Sequence, residues 1–363
     1  MISNIAIIPS YSEHYKNKIF EKNFENDGLV PFAVLRNKLR EIGIFINTID
    51  LVKKYDEIDL LIVMRHENNI NKIFNVISKN KSIKILYIST EEISAAPTQK
   101  NFLLDFGLFD RILTWRDNDV DSKLFYKYYY MTPHRSYIKN LNNKRELVCL
   151  INSYKINYYN SKDNIYDERL KVISFFEDKQ CFKLYGHNWN KYSKNLKNYK
   201  GRVKNKIETF LKFDFSFIFE NSNSELGGVT EKIWDSLAGG CIPIYYGAPN
   251  ISKYVPNICY VDYRNFENLT LLYNYLLEMT SEEKNIRRKA IEEFLQTENY
   301  ELFTSNGFYK TILFHINEMS KIAPVKKIIY KIKFKILKKL IKLNIPFWKY
   351  KRFYIKIIFS KYF

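Results

Sequence analysis

The chain has 363 residues, 46% of them hydrophobic, and a formal net charge of +19. This composition can build a sizeable core and excludes a disordered chain, and the length favours two domains of ordinary size. The four cysteines form no C-x-x-C pair, and Cys149, Cys241 and Cys259 lie in apolar runs typical of strands, so we expect buried free thiols in a reducing compartment, with neither a zinc site nor a disulfide framework. No segment approaches the about 18 apolar residues of a membrane span, and the N-terminal stretch does not resemble a secretion signal.

Apolar runs typical of β-strands alternate with helical periodicity through the first half of the chain. Strands are predicted in the runs IAIIPS, IFINTI, LLIVM, IKILYIS and RILTW. Apolar residues at helical spacing lie between them, as in PFAVLRNKLREIG and NINKIFNVISKN. This alternation predicts βαβ units with parallel strands.

The same alternation returns after a polar, turn-rich segment near residues 132–145, which we interpret as a linker. Strands are predicted in ELVCLIN, CFKLYG, FSFIFEN, CIPIYYG and ICYVDY, and helices in YDERLKVISFFED, KNKIETFLKF, VTEKIWDSLAGG and ENLTLLYNYLLEMT. We therefore predict two Rossmann-like α/β domains, at residues 1–140 and 141–320. Such a pair holds a ligand in the cleft between the domains, at the carboxyl ends of the strands. Residues 321–363 form a separate tail.

Residues 217–248 contain a predicted strand, a glycine-containing loop and the start of a helix. This helix would begin near Thr230, which can cap it, and end at Gly239 and Gly240. Lys232 then lies in the first turn, where the helix dipole is positive, so it needs a negative partner. A helix N-terminus binds anions, and a diphosphate is the predicted partner. A lysine exposed to solvent is the alternative.

Residues 219–256, with the sequence FENSNSELGGVTEKIWDSLAGGCIPIYYGAPNISKYVP, resemble the donor-binding signature of glycosyltransferase family 10, the α-1,3/1,4-fucosyltransferases. Weaker similarity extends over most of residues 80–300. KLYGHNW is similar to a strand and glycine turn of the family's second domain. STEEISAAP and FDRILTWRDND are similar to a first-domain segment that carries an acidic residue and then a Tyr-Arg-Arg-Asp-like run.

The resemblance implies a GT-B fold and transfer of L-fucose from GDP-fucose to a glycan hydroxyl, in an α-1,3 or α-1,4 linkage and with inversion at the anomeric carbon. This displacement needs a base for the acceptor proton and positive charge for the departing GDP. The fold often works without metal, so no cofactor is expected, and a divalent ion would be at most stimulatory. The DNDVD run at residues 117–121 is interpreted as a helix-capping loop, with a metal-ligand cluster as the alternative.

The family pattern also implies roles for individual residues. Glu91 in STEEISAAP matches the catalytic carboxylate, and its neighbour Glu92 is the alternative base. Lys232 and Glu231 match a Glu-Lys pair that holds the donor, with Lys232 on the diphosphate and Glu231 on sugar or ribose hydroxyls. Asn221 matches the asparagine of FENS.

Arg169 aligns with a diphosphate-binding arginine at the start of a helix, and the alternative is a solvent-exposed arginine compensated by Asp167 and Glu168. Gly228 departs from the family, which commonly has a donor-contacting tyrosine there, and Tyr246 is a candidate substitute. This departure bears on the identity of the sugar and not on the nucleotide diphosphate. Additional donor-side candidates are therefore Glu220, Thr230, Gly228 and Tyr246.

The tail contributes fourteen of the positive charges, as thirteen lysines and Arg352, and no acidic residue follows Glu318. Its apolar residues recur at helical spacing, so residues 324–363 are predicted to bind an anionic membrane surface. The enzyme would then lie on the inner face of the cytoplasmic membrane, near lipid-linked glycan acceptors for surface polysaccharide. A helix packed on the protein and a nucleic-acid-binding tail are the alternatives, although no nucleic-acid recognition motif is found.

Two other functions stay open. The first is a GT-B enzyme that uses another nucleotide sugar, which a comparison of donors would separate from a fucosyltransferase. The second is a carbohydrate-binding relative without catalysis, which the acidic pair at Glu91 and Glu92 argues against.

Overall fold

The computed structural model describes residues 2–21, 27–64, 69–90, 108–140, 144–154, 165–193 and 195–323. Within this part of the chain, strands and helices alternate as the sequence predicts. They form two parallel α/β units in series.

The first unit contains a parallel sheet of six strands. They are β1 (Asn4–Ile8), β2 (Phe45–Thr48), β3 (Leu60–Val63), β4 (Lys84–Ile88), β5 (Arg111–Thr114) and β6 (Phe125–Lys127). Their order in the sheet is β2-β1-β3-β4-β5-β6. The five predicted strands are confirmed, and β6 is an additional short strand that pairs with β5. All four residues of β3 are buried, because a central parallel strand is covered on both faces.

The second unit contains a parallel sheet of five strands. They are β7 (Glu146–Ile151), β8 (Phe182–Tyr185), β9 (Phe213–Phe219), β10 (Ile242–Tyr246) and β11 (Val261–Asp262). Their order is β11-β10-β9-β7-β8, so β9 is the middle strand. The five predicted strands of this half are confirmed, although the last one is only two residues long.

Helices connect the strands and cover the sheets. They are α1 (Val30–Glu41), α2 (Ile70–Lys79), α3 (Tyr166–Phe176), α4 (Trp189–Tyr192), α5 (Lys206–Phe210), α6 (Glu231–Ala238), α7 (Leu269–Glu278), α8 (Ser281–Phe294), α9 (Glu298–Glu301) and α10 (Ser305–Lys321). Local signals explain several boundaries. A capping box formed by Thr280 and Glu283 begins α8. Gly240, at φ +57°, follows α6 in the left-handed conformation that ends many helices, as predicted.

The first sheet has a hydrophobic core on each of its two faces. Successive side chains of β1 point to opposite faces and so join different cores. Ile5 and Ile7 join the core on the side of α1, whereas Ala6 and Ile8 join the core on the side of α2. The core of the second unit is rich in aromatic residues. Its largest buried side chains include Phe176, Phe182, Phe213, Phe215, Phe217, Phe219 and Trp234.

The helix α10 returns to the first unit after the chain has completed the second. Phe308, Ile312, Ile316 and Met319 lie in the core that also contains residues of α1. The boundaries proposed at residues 140 and 320 stay a prediction, but the last helix before residue 320 packs against the first sheet. Within the described residues, no helix is both long and apolar enough to cross a membrane. The predicted membrane-binding segment, residues 324–363, lies outside the described residues.

Candidate functional site

The carboxyl ends of the second-sheet strands and the start of α6 meet at one edge of the second unit. Because all five strands are parallel, the loops that follow them begin at the same edge of the sheet. The loop between β9 and α6 starts from the middle strand and contains the glycine-rich SNSELGG segment. This edge therefore brings backbone amides and polar side chains together.

Glu220 directly follows β9, and no part of its side chain is exposed. Its Oε1 accepts a hydrogen bond from the backbone N–H of Thr230 at 3.0 Å, and its Oε2 accepts one from the Thr230 hydroxyl at 2.7 Å. Lys232 Nζ donates to the same Oε2 at 2.7 Å. The buried carboxylate thus ties the end of β9 to the first turn of α6.

This arrangement identifies a negative partner for Lys232 within the chain itself. The prediction of a diphosphate overlooked Glu220, which lies twelve positions earlier in the sequence. The interpretation of Lys232 as an exposed surface lysine is wrong, since only 19% of its side chain is exposed. Thr230 directly precedes α6, but its side chain makes no capping hydrogen bond to the helix. Its hydroxyl instead donates to Glu220 and accepts a hydrogen bond from Lys232 at 2.9 Å. Side-chain capping by Thr230 is therefore a wrong prediction.

Glu231 is the first residue of α6 and lies beside Lys232. Burial alone would raise the pKa of its carboxyl group, but the charges of Lys232 and Lys206 outweigh burial and lower that pKa. Glu231 is therefore an ionised acceptor at the edge where the predicted donor residues meet. Its contact with sugar or ribose hydroxyls stays a prediction.

Arg169 lies in the first turn of α3 and is only 3% exposed. Its Nη2 donates to the carbonyl oxygens of Phe219 and Glu220 at 3.0 and 2.6 Å, and to Asn221 Oδ1 at 3.3 Å. The guanidinium also lies 4.6 Å from the ring centre of Tyr166. The alternative of a solvent-exposed arginine is therefore wrong.

Glu168, one of the two acidic neighbours that the alternative assigned to Arg169, has other partners. Glu168 accepts a hydrogen bond from Lys171 at 2.5 Å and one from the Tyr263 hydroxyl at 3.2 Å. Arg169 instead binds the end of β9, where it is joined to Asn221 directly and to Lys232 through Glu220. Four of the predicted donor-side residues thus lie in one connected cluster: Arg169, Asn221, Glu231 and Lys232.

Tyr246 ends β10 on the same edge of the sheet and is partly exposed. Its hydroxyl accepts a hydrogen bond from Asn223 Nδ2 at 2.5 Å, and its ring packs 5.1 Å from that of Tyr263. It therefore contacts the loop after β9 from the neighbouring strand. A role for Tyr246 in donor contact stays a prediction.

Gly228 lies where this loop approaches the first unit. A Cβ atom at this position would be 3.2 Å from the ring of Trp115 and 3.2 Å from the carbonyl oxygen of Glu225. Both distances are tighter than usual, so a tyrosine could enter here only if its neighbours moved. Trp115 thus occupies the space beside Gly228.

Asp117 joins the two units beside Gly228, a role that sequence reasoning missed. Its carboxylate accepts hydrogen bonds from Lys127 at 2.7 Å, Asn250 at 2.7 Å and the hydroxyl of Tyr254 at 2.6 Å. Its backbone N–H donates to the carbonyl oxygen of Leu226 at 3.1 Å. The signal was an aspartate two residues after the predicted RILTW strand, but it was considered only as a metal ligand or part of a capping loop.

The other acidic residues of DNDVD have separate local partners. Asp119 binds Arg116, and the Asp121 carboxylate accepts the backbone N–H groups of Lys123, Leu124 and Phe125 at 2.8–2.9 Å. In the described part of the chain, no three His, Cys, Asp or Glu residues are grouped so that they could hold a metal ion. The run therefore shows no such cluster among the described residues, and the expectation that no metal is required stays a prediction. The predicted base, Glu91, and its alternative Glu92 lie outside the described residues.

Comparison with known proteins adds the family. Residues 141–290 match the model of the glycosyltransferase family 10 (fucosyltransferase) C-terminal domain. Through this segment the chain is similar to glycosyltransferase family 10. The match contains Arg169, Glu220, Asn221, Glu231 and Lys232. The family predicted from the sequence is confirmed.

Two curated relatives share parts of this sequence. An alpha-(1,3)-fucosyltransferase of Helicobacter pylori is 30% identical over 119 residues, which are 31% of this chain and 25% of the relative. An Arabidopsis thaliana protein described as fucosyltransferase-like is 42% identical over 60 residues, which are 16% of this chain and 11% of that protein. The chain thus spans a quarter or less of the length of these relatives.

Three solved structures share the fold over most of their length. An alpha1,3-fucosyltransferase with GDP-fucose superimposes with a TM-score of 0.54 at 17% identity, covering 90% of this chain and 92% of the other. A glycosyltransferase from Rickettsia africae has a TM-score of 0.55 at 10% identity, covering 89% and 99%. A DNA-modifying beta-glucosyltransferase has a TM-score of 0.53 at 14% identity, covering 86% and 99%. The predicted GT-B fold is confirmed.

Proposed function

We propose that this protein is an inverting glycosyltransferase that moves L-fucose from GDP-fucose to a hydroxyl group of a glycan. The observation that carries the proposal is the convergence of Arg169, Asn221, Glu231 and Lys232 at one sheet edge, inside the segment that matches family 10. The solved fucosyltransferase with GDP-fucose supports the choice of donor, because it shares the fold. The H. pylori relative supports the choice of sugar.

The chemistry of the site suits the departure of a nucleoside diphosphate. Loss of GDP develops negative charge on the β-phosphate, and cations with oriented N–H groups stabilise such charge. Lys232 lies in the first turn of α6, so its ammonium and the helix N-terminus act on the same region. Glu231, held ionised, is suited to accept hydrogen bonds from sugar or ribose hydroxyls.

The acceptor side requires a base that removes the hydroxyl proton as the new bond forms. We assign this role to Glu91, with Glu92 as the alternative, on their match to the family pattern alone. The chain's own cations are proposed to neutralise GDP without a metal, so transfer should continue in EDTA. The acceptor is proposed to be a lipid-linked glycan for surface polysaccharide, reached from the inner face of the cytoplasmic membrane.

A panel of nucleotide sugars tests the donor directly. Full-length protein is incubated with a glycan array and GDP-fucose, GDP-mannose, UDP-glucose or UDP-galactose, with and without EDTA, and products are measured by mass spectrometry. We expect a mass increase of one deoxyhexose with GDP-fucose only, and an α-linked product by NMR, as inversion of the β-linked donor requires. Transfer from another donor alone would favour the rival GT-B function. Activity that is lost in EDTA and restored by metal would contradict the metal-free mechanism.

A further inference from the structure

The loop at residues 221–229 follows β9 and leads into α6, and it is held by residues on both sides of the interdomain contact. In the second unit, Asn250 Oδ1 accepts a hydrogen bond from the backbone N–H of Gly227 at 2.9 Å. From the first unit, Asp117 N–H donates to the Leu226 carbonyl at 3.1 Å. Asn250 Nδ2 in turn donates to Asp117 Oδ2 at 2.7 Å, which closes the ring of contacts.

The carboxylate of Asp117 is the centre of this network. Only 14% of its side chain is exposed, and Lys127 from β6 neutralises it at 2.7 Å. The hydroxyl of Tyr254, from the second unit, donates to it at 2.6 Å. Burial opposes its ionisation, but the hydrogen bonds from Lys127 and Tyr254 prevail and lower the pKa of Asp117 to about 2. The carboxylate is therefore charged throughout the physiological range.

The backbone of the loop comes so close to the first unit at Gly227 that only glycine fits there. Gly227 has φ +82°, and a Cβ atom there would lie 2.5 Å from the carbonyl oxygen of Trp115 and 3.0 Å from Asp117 Oδ1. Lys127 Nζ donates to that same Trp115 oxygen at 2.5 Å. The loop thus lies directly on the first unit, and its contacts there are polar and specific.

We propose that Asp117 is a positioning residue that fixes the loop at residues 221–229 against the first domain. The loop begins with Asn221 and leads into the Thr230–Lys232 segment, so its conformation sets where these groups lie. The link to donor binding rests on the proposed function, whereas the fixing of the loop does not. Asp117 touches no reacting atom in this account and acts through Asn250, Tyr254 and the loop backbone.

The Asp117→Asn variant tests the proposal against a control from the same DNDVD run. Asparagine keeps the size but loses the charge, and its amide would face donors from Lys127, Tyr254 or Asn250. Asp121→Asn is the matched control, because Asp121 is exposed and its described contacts are local backbone N–H groups. Tyr254→Phe removes only the hydroxyl and provides a second, milder variant.

Hydrogen-exchange mass spectrometry of peptides covering residues 221–229 measures the fixing of the loop. We expect faster exchange there in Asp117→Asn and Tyr254→Phe than in the wild type or Asp121→Asn. The effects of the two variants should be non-additive when combined, because both alter the contact between Asp117 and Tyr254. If exchange in this loop stays unchanged in both folded variants, the proposal is wrong.

Calorimetry with GDP measures the consequence for the site. If the competent loop conformation falls to about one tenth of the population, the apparent affinity falls about tenfold. Faster exchange with unchanged GDP affinity would overturn the link to donor binding while leaving the loop contact in place. A wild-type protein that binds no GDP would instead contradict the proposed function, and hydrogen exchange would still decide the role of Asp117.

Discussion

Lys232 contacts a carboxylate that has no access to solvent, since Glu220 is fully buried. A buried carboxylate that loses its cation is left uncompensated, which costs several kcal/mol. Lys232 therefore cannot leave Glu220 in order to bind a phosphate. The Lys232 side chain stays 19% exposed while it binds Glu220 and Thr230, so an anion can approach it from solvent. We expect a bridging lysine in the donor complex.

Replacing this lysine should affect both binding and folding. We expect Lys232→Ala to weaken GDP binding by about 1.5–3 kcal/mol, as for a lost charge-assisted hydrogen bond. The same variant should unfold at a lower temperature, because Glu220 loses its cation. In Lys232→Ala/Glu220→Gln the buried charge is gone, so thermal stability should recover while GDP binding stays weak. Unchanged GDP affinity in Lys232→Ala would limit the lysine to its structural contact with Glu220.

The acidic pair after β4 provides a second test at single positions. Glu91→Gln is expected to lower turnover by roughly 100-fold or more while GDP binding is kept, since a positioned base contributes about that factor. Glu92→Gln is the neighbouring control and should retain turnover. The reverse result would transfer the role to Glu92, and normal rates in both variants would remove the pair from the mechanism. Initial rates and GDP titrations give the comparison.

The helix α10 lies near the end of the described chain and packs against the first sheet. His315 on this helix is 3% exposed and receives a hydrogen bond from Arg111 Nη1 on its Nδ1 at 2.9 Å. Arginine can only donate, so Nδ1 must be unprotonated. Burial, with a smaller contribution from the Arg111 charge, lowers the pKa of His315 to about 4.

This lowered pKa predicts that stability depends on pH. Between about pH 6.5 and pH 4 the unfolded chain binds a proton at His315 that the folded chain does not, so stability falls as pH falls, by about 3 kcal/mol at most. His315→Gln keeps an acceptor for Arg111 and should flatten the decline of the unfolding temperature between pH 7 and pH 4.5. His134→Gln, at an exposed imidazole, is the control. Identical pH dependence in wild type and His315→Gln would contradict this account.

At the scale of the whole molecule, charge is concentrated at one end of the chain. Residues 321–363 contribute fourteen of the nineteen net positive charges, and the rest of the protein has an ordinary balance. Each lysine near an anionic bilayer contributes about 1 kcal/mol of attraction, so several together can hold a protein there. We expect full-length protein to sediment with anionic liposomes at low salt and to lose this property when residues 324–363 are deleted.

The truncated protein should still transfer to a small acceptor, because the described strands, helices and cores all lie before residue 324. Neutral liposomes provide the control for nonspecific sedimentation. A full-length protein that ignores anionic liposomes would contradict the membrane proposal. Unfolding of the truncated protein would instead make the tail part of the structure.

The alternation of strands and helices, the fold class and the family could be predicted from the sequence. Apolar periodicity depends on neighbouring residues, so runs such as LLIVM and CIPIYYG identify their own strands. The residues from Glu220 to Lys232 likewise lie close together in the sequence, so the donor-binding signature could be recognised from the sequence alone. A ligand site at the carboxyl ends of the strands could also be predicted, because these ends share one edge of a parallel sheet.

Only the tertiary structure decided which groups meet across long stretches of chain. The acceptors of Arg169 lie about fifty residues away, and Tyr254 is 137 residues from Asp117. The short apolar runs that form α10 could not show that this helix returns to the first sheet, since helical periodicity marks a buried face but not the surface that covers it. Partners of buried charges depend on chain folding in three dimensions, because desolvation selects whichever opposite charge or polar group the packing brings within reach.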